Sequence, residues 1–161
     1  MTIKKDRIMD RKITWTKVSE ALEKNQDSYE VNEMLFAMLH GWDWPLYGAA
    51  EDDYERNTGS YAYLDNADIA TEASIEMFRS FVWDKPDWEP EIILRRSAGQ
   101  WLASITVDAE HAAAMSDGNL NANVQHGGQD RKMGKAIMKA AIGLRAVLRA
   151  AKEPDEAPAP E

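Results

Sequence analysis

The sequence predicts an α+β fold: a small antiparallel sheet of two or three strands flanked by helices, in the order αα-α-β-β-(β)-α. Three observations predict it. Residues 130–151 sort into two faces at about 100° per residue, with Met133, Ala136, Ile137, Ala140, Leu144, Val147, Leu148 and Ala151 on one side. Arg131, Lys132, Lys135, Lys139, Arg145, Arg149 and Lys152 lie on the other. Residues 91–107 supply a surface for that apolar face, as a strand, a turn at Ala98-Gly99 and a second strand. Upstream, residues 14–41 hold two short amphipathic segments that must pack on something to be stable.

Each element has a local reason. Thr14 is an N-cap for a first helix carrying Trp15, Val18 and Leu22 at helical spacing. Asp27 with Glu30 three residues on starts a second, whose stripe of Val31, Met34, Leu35, Met38 and Leu39 ends at the C-cap residue Gly41. Asp65 caps a third, with Asp68 in its first turn, Ile69, Ala73, Met77, Phe78 and Phe81 on its buried side, and Pro86 beyond its end. In the hairpin, Ile92 and Leu94 alternate loosely with Ile93 and Arg95, whereas Trp101, Ala103, Ile105 and Val107 alternate cleanly with Leu102, Ser104 and Thr106. Residues 109–116 read either as a helical turn or as a wide loop. After a turn at Asp117-Gly118, Leu120, Ala122 and Val124 form a weak third strand, and Gly127-Gly128 leads into the last helix.

Organisation follows from composition. With 161 residues, 44% of them apolar and six of them Trp, the chain suits one domain over residues 14–152. Residues 1–13 form an arm, residues 42–62 an irregular loop, and the Pro- and acid-rich residues 153–161 a disordered tail. The net charge of −9 argues against non-specific binding to duplex DNA, where neutralising phosphate dominates affinity. The absence of cysteine removes disulfides and thiolate chemistry and fits a reducing cytoplasm. No apolar run reaches the roughly 20 residues that span a bilayer, and no signal peptide opens the chain.

The sequence offers no catalytic constellation, and the expectation is a protein that is not an enzyme and holds neither cofactor nor metal. His40, His111 and His126 lack metal-ligand spacing, and the acidic run at 51–55 lacks that of a calcium loop. Two binding surfaces are candidates instead. One is the aromatic and acidic segment Trp42, Trp44, Tyr47, Glu51, Asp52, Asp53 and Tyr54, suited to a protein partner, for which large aromatics are enriched. The alternative is a phosphate site at the start of the last helix, where Arg131, Lys132 and Lys135 follow a Gly pair and would take RNA or a phosphorylated nucleotide. Met138 and Ile142 fall inside the basic arc, and as exposed apolar groups they point to a homo-oligomer interface.

The layout also resembles a known family. The segment Tyr29-Glu30-Val31-Asn32-Glu33-Met34-Leu35 running into Leu39-His40-Gly41-Trp42, then Ser60-Tyr61 before Asp65-Asn66-Ala67-Asp68-Ile69-Ala70, a Trp-bearing hairpin and a final Gly134-Lys135-Ala136-Ile137-Met138-Lys139-Ala140-Ala141 resemble the small phage proteins of the ABA sandwich domain. The resemblance covers residues 14–151, and the chain departs from it in the excursion at 109–123, the N-terminal arm and the tail. It implies phage or prophage origin and helices flanking an antiparallel sheet, and it carries no catalytic residues over. The expected function is binding in the host cytoplasm, to a host or phage protein, as an inhibitor or modulator in the manner of an anti-defence factor. Fold alone does not give function.

Overall fold

The computed structural model describes residues 13–24, 28–79 and 89–152, and the fold is α+β, with six α-helices and a three-stranded antiparallel sheet among the described residues. Residues 1–12 of the arm, the cap at Asp27, Phe81, Pro86 and the acidic tail lie outside the described residues, while Ile13, expected at the end of the arm, is buried. The chain divides into two compact units, with the boundary at Ala62 and Tyr63.

The first unit is helical: α1 (Trp15–Glu23), α2 (Ser28–His40), α3 (Gly48–Arg56) and a 3-10 turn (Thr58–Tyr61). Thr14 caps α1 through its hydroxyl, which accepts from the Lys17 N–H at 3.2 Å. Gly41 ends α2 with φ at +74°, and the Trp42 N–H closes back on the Ala37 carbonyl at 2.8 Å, the long-range bond of a Schellman ending. Helix α1 packs against α2, and Val18, Leu22, Leu35 and Phe36 are buried. The stretch expected as an irregular loop contains α3. Ala49 and Ala50 favour helix, Glu51 and Arg56 suit its dipole, and Ala50 and Tyr54, four residues apart, are its buried face. Two apolar positions on nine residues are too few to show a period, which is why the sequence hid it.

The second unit comprises α4 (Ala67–Arg79), β1 (Glu91–Ser97), β2 (Gln100–Val107), α5 (Ala109–Met115), β3 (Val124–Asp130) and α6 (Met133–Lys152). The cap of α4 is Asn66 and not Asp65: its Oδ1 accepts from the N–H groups of Asp68 at 2.9 Å and Ile69 at 3.2 Å. The β1–β2 hairpin turns on Ala98 and Gly99, both at positive φ, as a two-residue hairpin loop requires. The strand order is β1-β2-β3, with Ile92 opposite Ile105 and Ile105 opposite His126. The excursion at 109–116 resolves as α5, capped by Asp108, whose side chain accepts from the His111 N–H.

Three expectations for this unit are corrected. The third strand lies at Val124–Asp130, downstream of the alternation at 120–124, and takes in Gly127 and Gly128. Gly128 faces α6, where a Cβ would stand 2.3 Å from the Ala136 carbonyl oxygen, so this glycine permits close helix–strand approach and does not form a loop. Met138 and Ile142 are buried at 0% and 5% exposure, because α6 packs on the sheet and also against α4, where the Ser74 hydroxyl approaches the Met138 sulfur. An arc broad enough for two neighbours looks, in one dimension, like apolar residues straying onto the solvent side. Lys135, expected on that solvent side, is likewise buried.

Core positions follow the sheet. Ala103, Ile105 and Val107 are buried beneath α6 together with its Ala136, Ile137, Ala140, Leu144 and Leu148. Val147 alone among the expected apolar face of α6 is exposed, at 40%. Helix α6 lies chiefly over β3 and β2, leaving β1 largely bare: every residue of that strand except Ile92 is exposed.

Candidate functional site

In the helical unit the expected aromatic and acidic segment is split between core and surface. Tyr54 is buried, and its ring makes an edge contact with Tyr29 at 5.2 Å and lies 5.6 Å from Phe36. Its hydroxyl donates to the Tyr29 carbonyl at 2.7 Å, so Tyr54 fastens α3 to the start of α2. Asp53 is held locally, accepting from the Asn57 amide at 2.8 Å and from the Tyr61 hydroxyl at 3.1 Å. Trp42 and Tyr47 are 48% and 54% exposed, and Glu51 and Asp52 are exposed with them. Trp44 is half-buried, with its indole N–H buried beside the Glu33 carboxylate yet short of hydrogen-bond geometry. The bond that follows it, to Pro45, is cis.

Two participants, Tyr29 and Glu33, lie outside the expected segment, and a third, Glu55, belongs to the acidic run at 51–55. Tyr29, Glu33 and Glu55 share an electrostatic neighbourhood with Glu51. Burial pushes the Glu33 carboxyl above the usual glutamate range, the Trp44 side chain opposes this, and Glu51, Glu30 and Glu55 add to the rise. The Tyr29 phenol is raised by burial and by Glu55, Glu33 and Glu51. Tyr61 is raised by burial and by its bond to Asp53. Tyr29 and Glu33 on α2, and Glu51 and Glu55 on α3, are each four residues apart, a spacing that puts each pair on one helix face. The signal existed for α2; for α3 it was lost once the segment read as loop.

The alternative phosphate site is arranged differently. Gly127 and Gly128 are strand residues opposite Ser104 and Ala103. Asp130 ends β3, three residues before α6 begins, its Oδ1 accepting from the Lys132 N–H at 3.0 Å. Its other oxygen faces Lys139 at 3.2 Å and Lys135 at 3.6 Å, and the Lys132 ammonium reaches Asp65 at 2.7 Å. Burial raises the Asp130 carboxyl, but its bonds from Lys132 and Lys139 and the charges of Lys135 and Lys139 outweigh it and hold the group below the usual range. Of the three expected cations only Arg131 is exposed without a carboxylate of this cluster beside it, and two already face carboxylates.

Metal-ligating chemistry has one geometric candidate among the described residues, Asp108, Glu110 and His111, with a ligand atom from each within 4.8 Å. Capping explains it: the Asp108 carboxylate accepts from the His111 Nδ1 at 2.8 Å and from its backbone N–H at 3.4 Å. His40 donates from Nδ1 to the Phe36 carbonyl at 3.0 Å, the ordinary use of an imidazole at a helix C-terminus. The His126 ring lies under Gly143, where a Cβ would meet it at 2.2 Å, and its Nδ1 is buried without a hydrogen-bond partner.

A groove of about 420 Å³ runs along the sheet face turned away from α6, with apolar Ile93 and Leu102 bordered by Arg95, Ser104, Gln125 and Gln129. The Gln125 amide donates to the Ser104 hydroxyl and the Gln129 amide to Gln100, which stiffens the face. Among the described residues no helix is long and apolar enough to cross a membrane. No family model matches the chain, and no curated protein or solved structure matches it either.

Proposed function

We propose that this chain acts by binding a protein partner through the acidic, aromatic surface of its helical unit, and that the partner presents a basic surface. One observation carries the reading. Burial comes first in raising the Tyr29 phenol and the Glu33 carboxyl, and the charges of the neighbouring glutamates, Glu51 and Glu55 among them, add to both, a share that an incoming cation would relieve. Exposed Trp42 and Tyr47 add the large amphipathic rings that dominate protein interfaces. The phage kinship rests on the sequence motifs. With it, the reading extends to a non-catalytic modulator of a host or phage factor in the host cytoplasm, competing for a surface that otherwise holds nucleic acid.

The phosphate reading has less support, because Lys132 and Lys135 already face Asp65 and Asp130. Affinity capture separates the two. The full chain and a W42A/Y47A/E51Q/E55Q variant are immobilised and exposed to host lysate, with bound protein, RNA and nucleotides quantified. The expected result is one protein retained by the wild type, released by salt and lost with the variant. An identical profile for the two chains would overturn the reading, and retention of RNA or nucleotide by both would transfer support to Arg131.

A further inference from the structure

We infer that a second copy of this chain docks on the outer edge of β1, joining the two sheets into one of six strands through an antiparallel β1–β1 pairing centred on Ile93. Among the described residues the strand order leaves both β1 and β3 with an unpaired edge, and such an edge carries a row of main-chain donors and acceptors that templates another strand. The two edges differ. β3 presents Gln125, Gly127 and Gln129 to the open face, and both glutamines are tied to β2 by side-chain bonds. β1 presents Ile93 at 41% and Leu94 at 36% exposure, side chains of opposite parity, so it is apolar and bare on both faces at once.

That double exposure has a structural cause. Helix α6 is centred on β3 and β2, and β1 extends beyond its cover. Paired strands elsewhere in the sheet bury their helix-facing residues, as Ala103, Ile105 and Val107 show, whereas Leu94 on the same face stays open. A strand laid along β1 supplies the missing neighbour.

Charge identifies the occupant. With a two-fold axis normal to the sheet, residues facing each other across the new seam share a face, so their numbers sum to an even value. Centring on Ile93 places Ile93 against its own copy, Ile92 against Leu94, and Glu91 against Arg95 twice. Arg95 and Glu91 are both exposed and both on the open face with Ile93. Centring on Arg95 instead sets like charges directly opposite each other, which is unfavourable. Centring on Ile92 brings Pro90, which has no N–H to donate, into the seam. The Ile93 register keeps the five paired residues within Glu91 to Arg95 and leaves Pro90 outside them. Arg96, on the helix-facing side, is already stacked over Trp101 at 5.4 Å and caps the apolar pair without competing for Glu91.

Sedimentation equilibrium of the full chain tests this, with a charge-swap set as the discriminating measurement. Wild type is expected to show a concentration-dependent monomer–dimer equilibrium. E91R and R95E alone each place like charges opposite one another twice and are expected to weaken the dimer at least about tenfold. An equimolar mixture of E91R and R95E regains complementary pairs and associates, as does the double variant. Amide exchange in β1 of the wild type slows as concentration rises, a readout that needs no variant. A wild type that stays monomeric at every concentration overturns the inference. So does a dimer indifferent to both single swaps, or single variants whose mixture associates no better than either alone.

Discussion

In the helical unit carboxylate stands beside carboxylate, with Glu33 raised by burial and by its acidic neighbours. In the sheet unit the enclosed carboxylate, Asp130, stands among lysines and is held low. The two units therefore place charge to different ends. Asp130 accepts from the Lys132 N–H just before α6, counters Lys135 and Lys139 and ties the end of β3 to the helix that covers it. Its charge is used up internally. The glutamates of α2 and α3 find no such closure among themselves, and that difference is what the proposed recognition by the helical unit rests on.

The sharpest way to break that contrast is at the helix–sheet contact. Gly128→Ala puts a methyl group 2.3 Å from the Ala136 oxygen and 2.6 Å from the Ala140 nitrogen, both main-chain atoms that cannot swing aside. Helix α6 must lift, at a cost of about 3 kcal/mol, read as a fall of about 10 °C in Tm. Its neighbour is the control. Gly127→Ala meets only the Ala103 oxygen, at 3.6 Å, on the open face and should cost under about 1 kcal/mol. Equal losses at the two positions would mean that the glycines matter for the strand's backbone and not for seating the helix.

Next in size is Asp130→Ala, which leaves Lys135, with 11% of its side chain exposed, and Lys139, with 17%, lacking their shared counter-charge. The expected loss is about 2 kcal/mol in urea denaturation. The sign with pH follows from the depressed carboxyl. Its contribution is full above the unfolded value of about 3.9 and disappears as the pH falls below that value through the lower folded one. Wild type and variant should therefore converge in acid. A constant gap down to the lowest pH at which both fold would show that Asp130 acts by packing.

Legibility in the sequence tracked how many positions each element commits to the core. Helix α6, with Ala136, Ile137, Ala140, Leu144 and Leu148 on one side, announced itself, as did β2 through Ala103, Ile105 and Val107. Helix α3 commits only Ala50 and Tyr54 and was invisible. β3 was misplaced because its interior holds two glycines, and the reason for one of them, the main chain of α6, lies in a segment that follows it in sequence. The aromatic segment was legible as composition, but the division of labour within it was not. Tyr54 became core through the Tyr29 carbonyl, and Tyr29 and Glu33 entered from a helix some twenty residues upstream.

That division is open to a direct test. Tyr54→Phe keeps the ring against Tyr29 and Phe36 and deletes only the hydroxyl that donates to the Tyr29 carbonyl at 2.7 Å. The expected loss is about 1 kcal/mol. Amide exchange should accelerate at the start of α2 and along α3 while α6 is unchanged. Acceleration spread evenly over both units would show that the hydroxyl fastens more than these two helices.

The smallest effect is the most telling for the contrast in charge. Glu33→Gln removes one negative group from the cluster while keeping its shape and should stabilise the protein at neutral pH, by no more than about 0.5 kcal/mol. The sign differs from that at Asp130 because the folded carboxyl is raised, not lowered. Wild-type stability from this group is fully present below the unfolded value of about 4.3 and is lost as the pH rises through the higher folded value. The advantage of the variant should thus open as the solution is taken from acid to neutral, the reverse of the gap between wild type and Asp130→Ala, which also opens upward but with the variant as the weaker protein. Salt sharpens the reading further, since Glu51, Glu30 and Glu55 act through solvent and are screened, while the burial contribution is not. A variant less stable than wild type at neutral pH would mean that Glu33 is paired and not crowded, and the helical unit would lose its claim to an unsatisfied anionic surface.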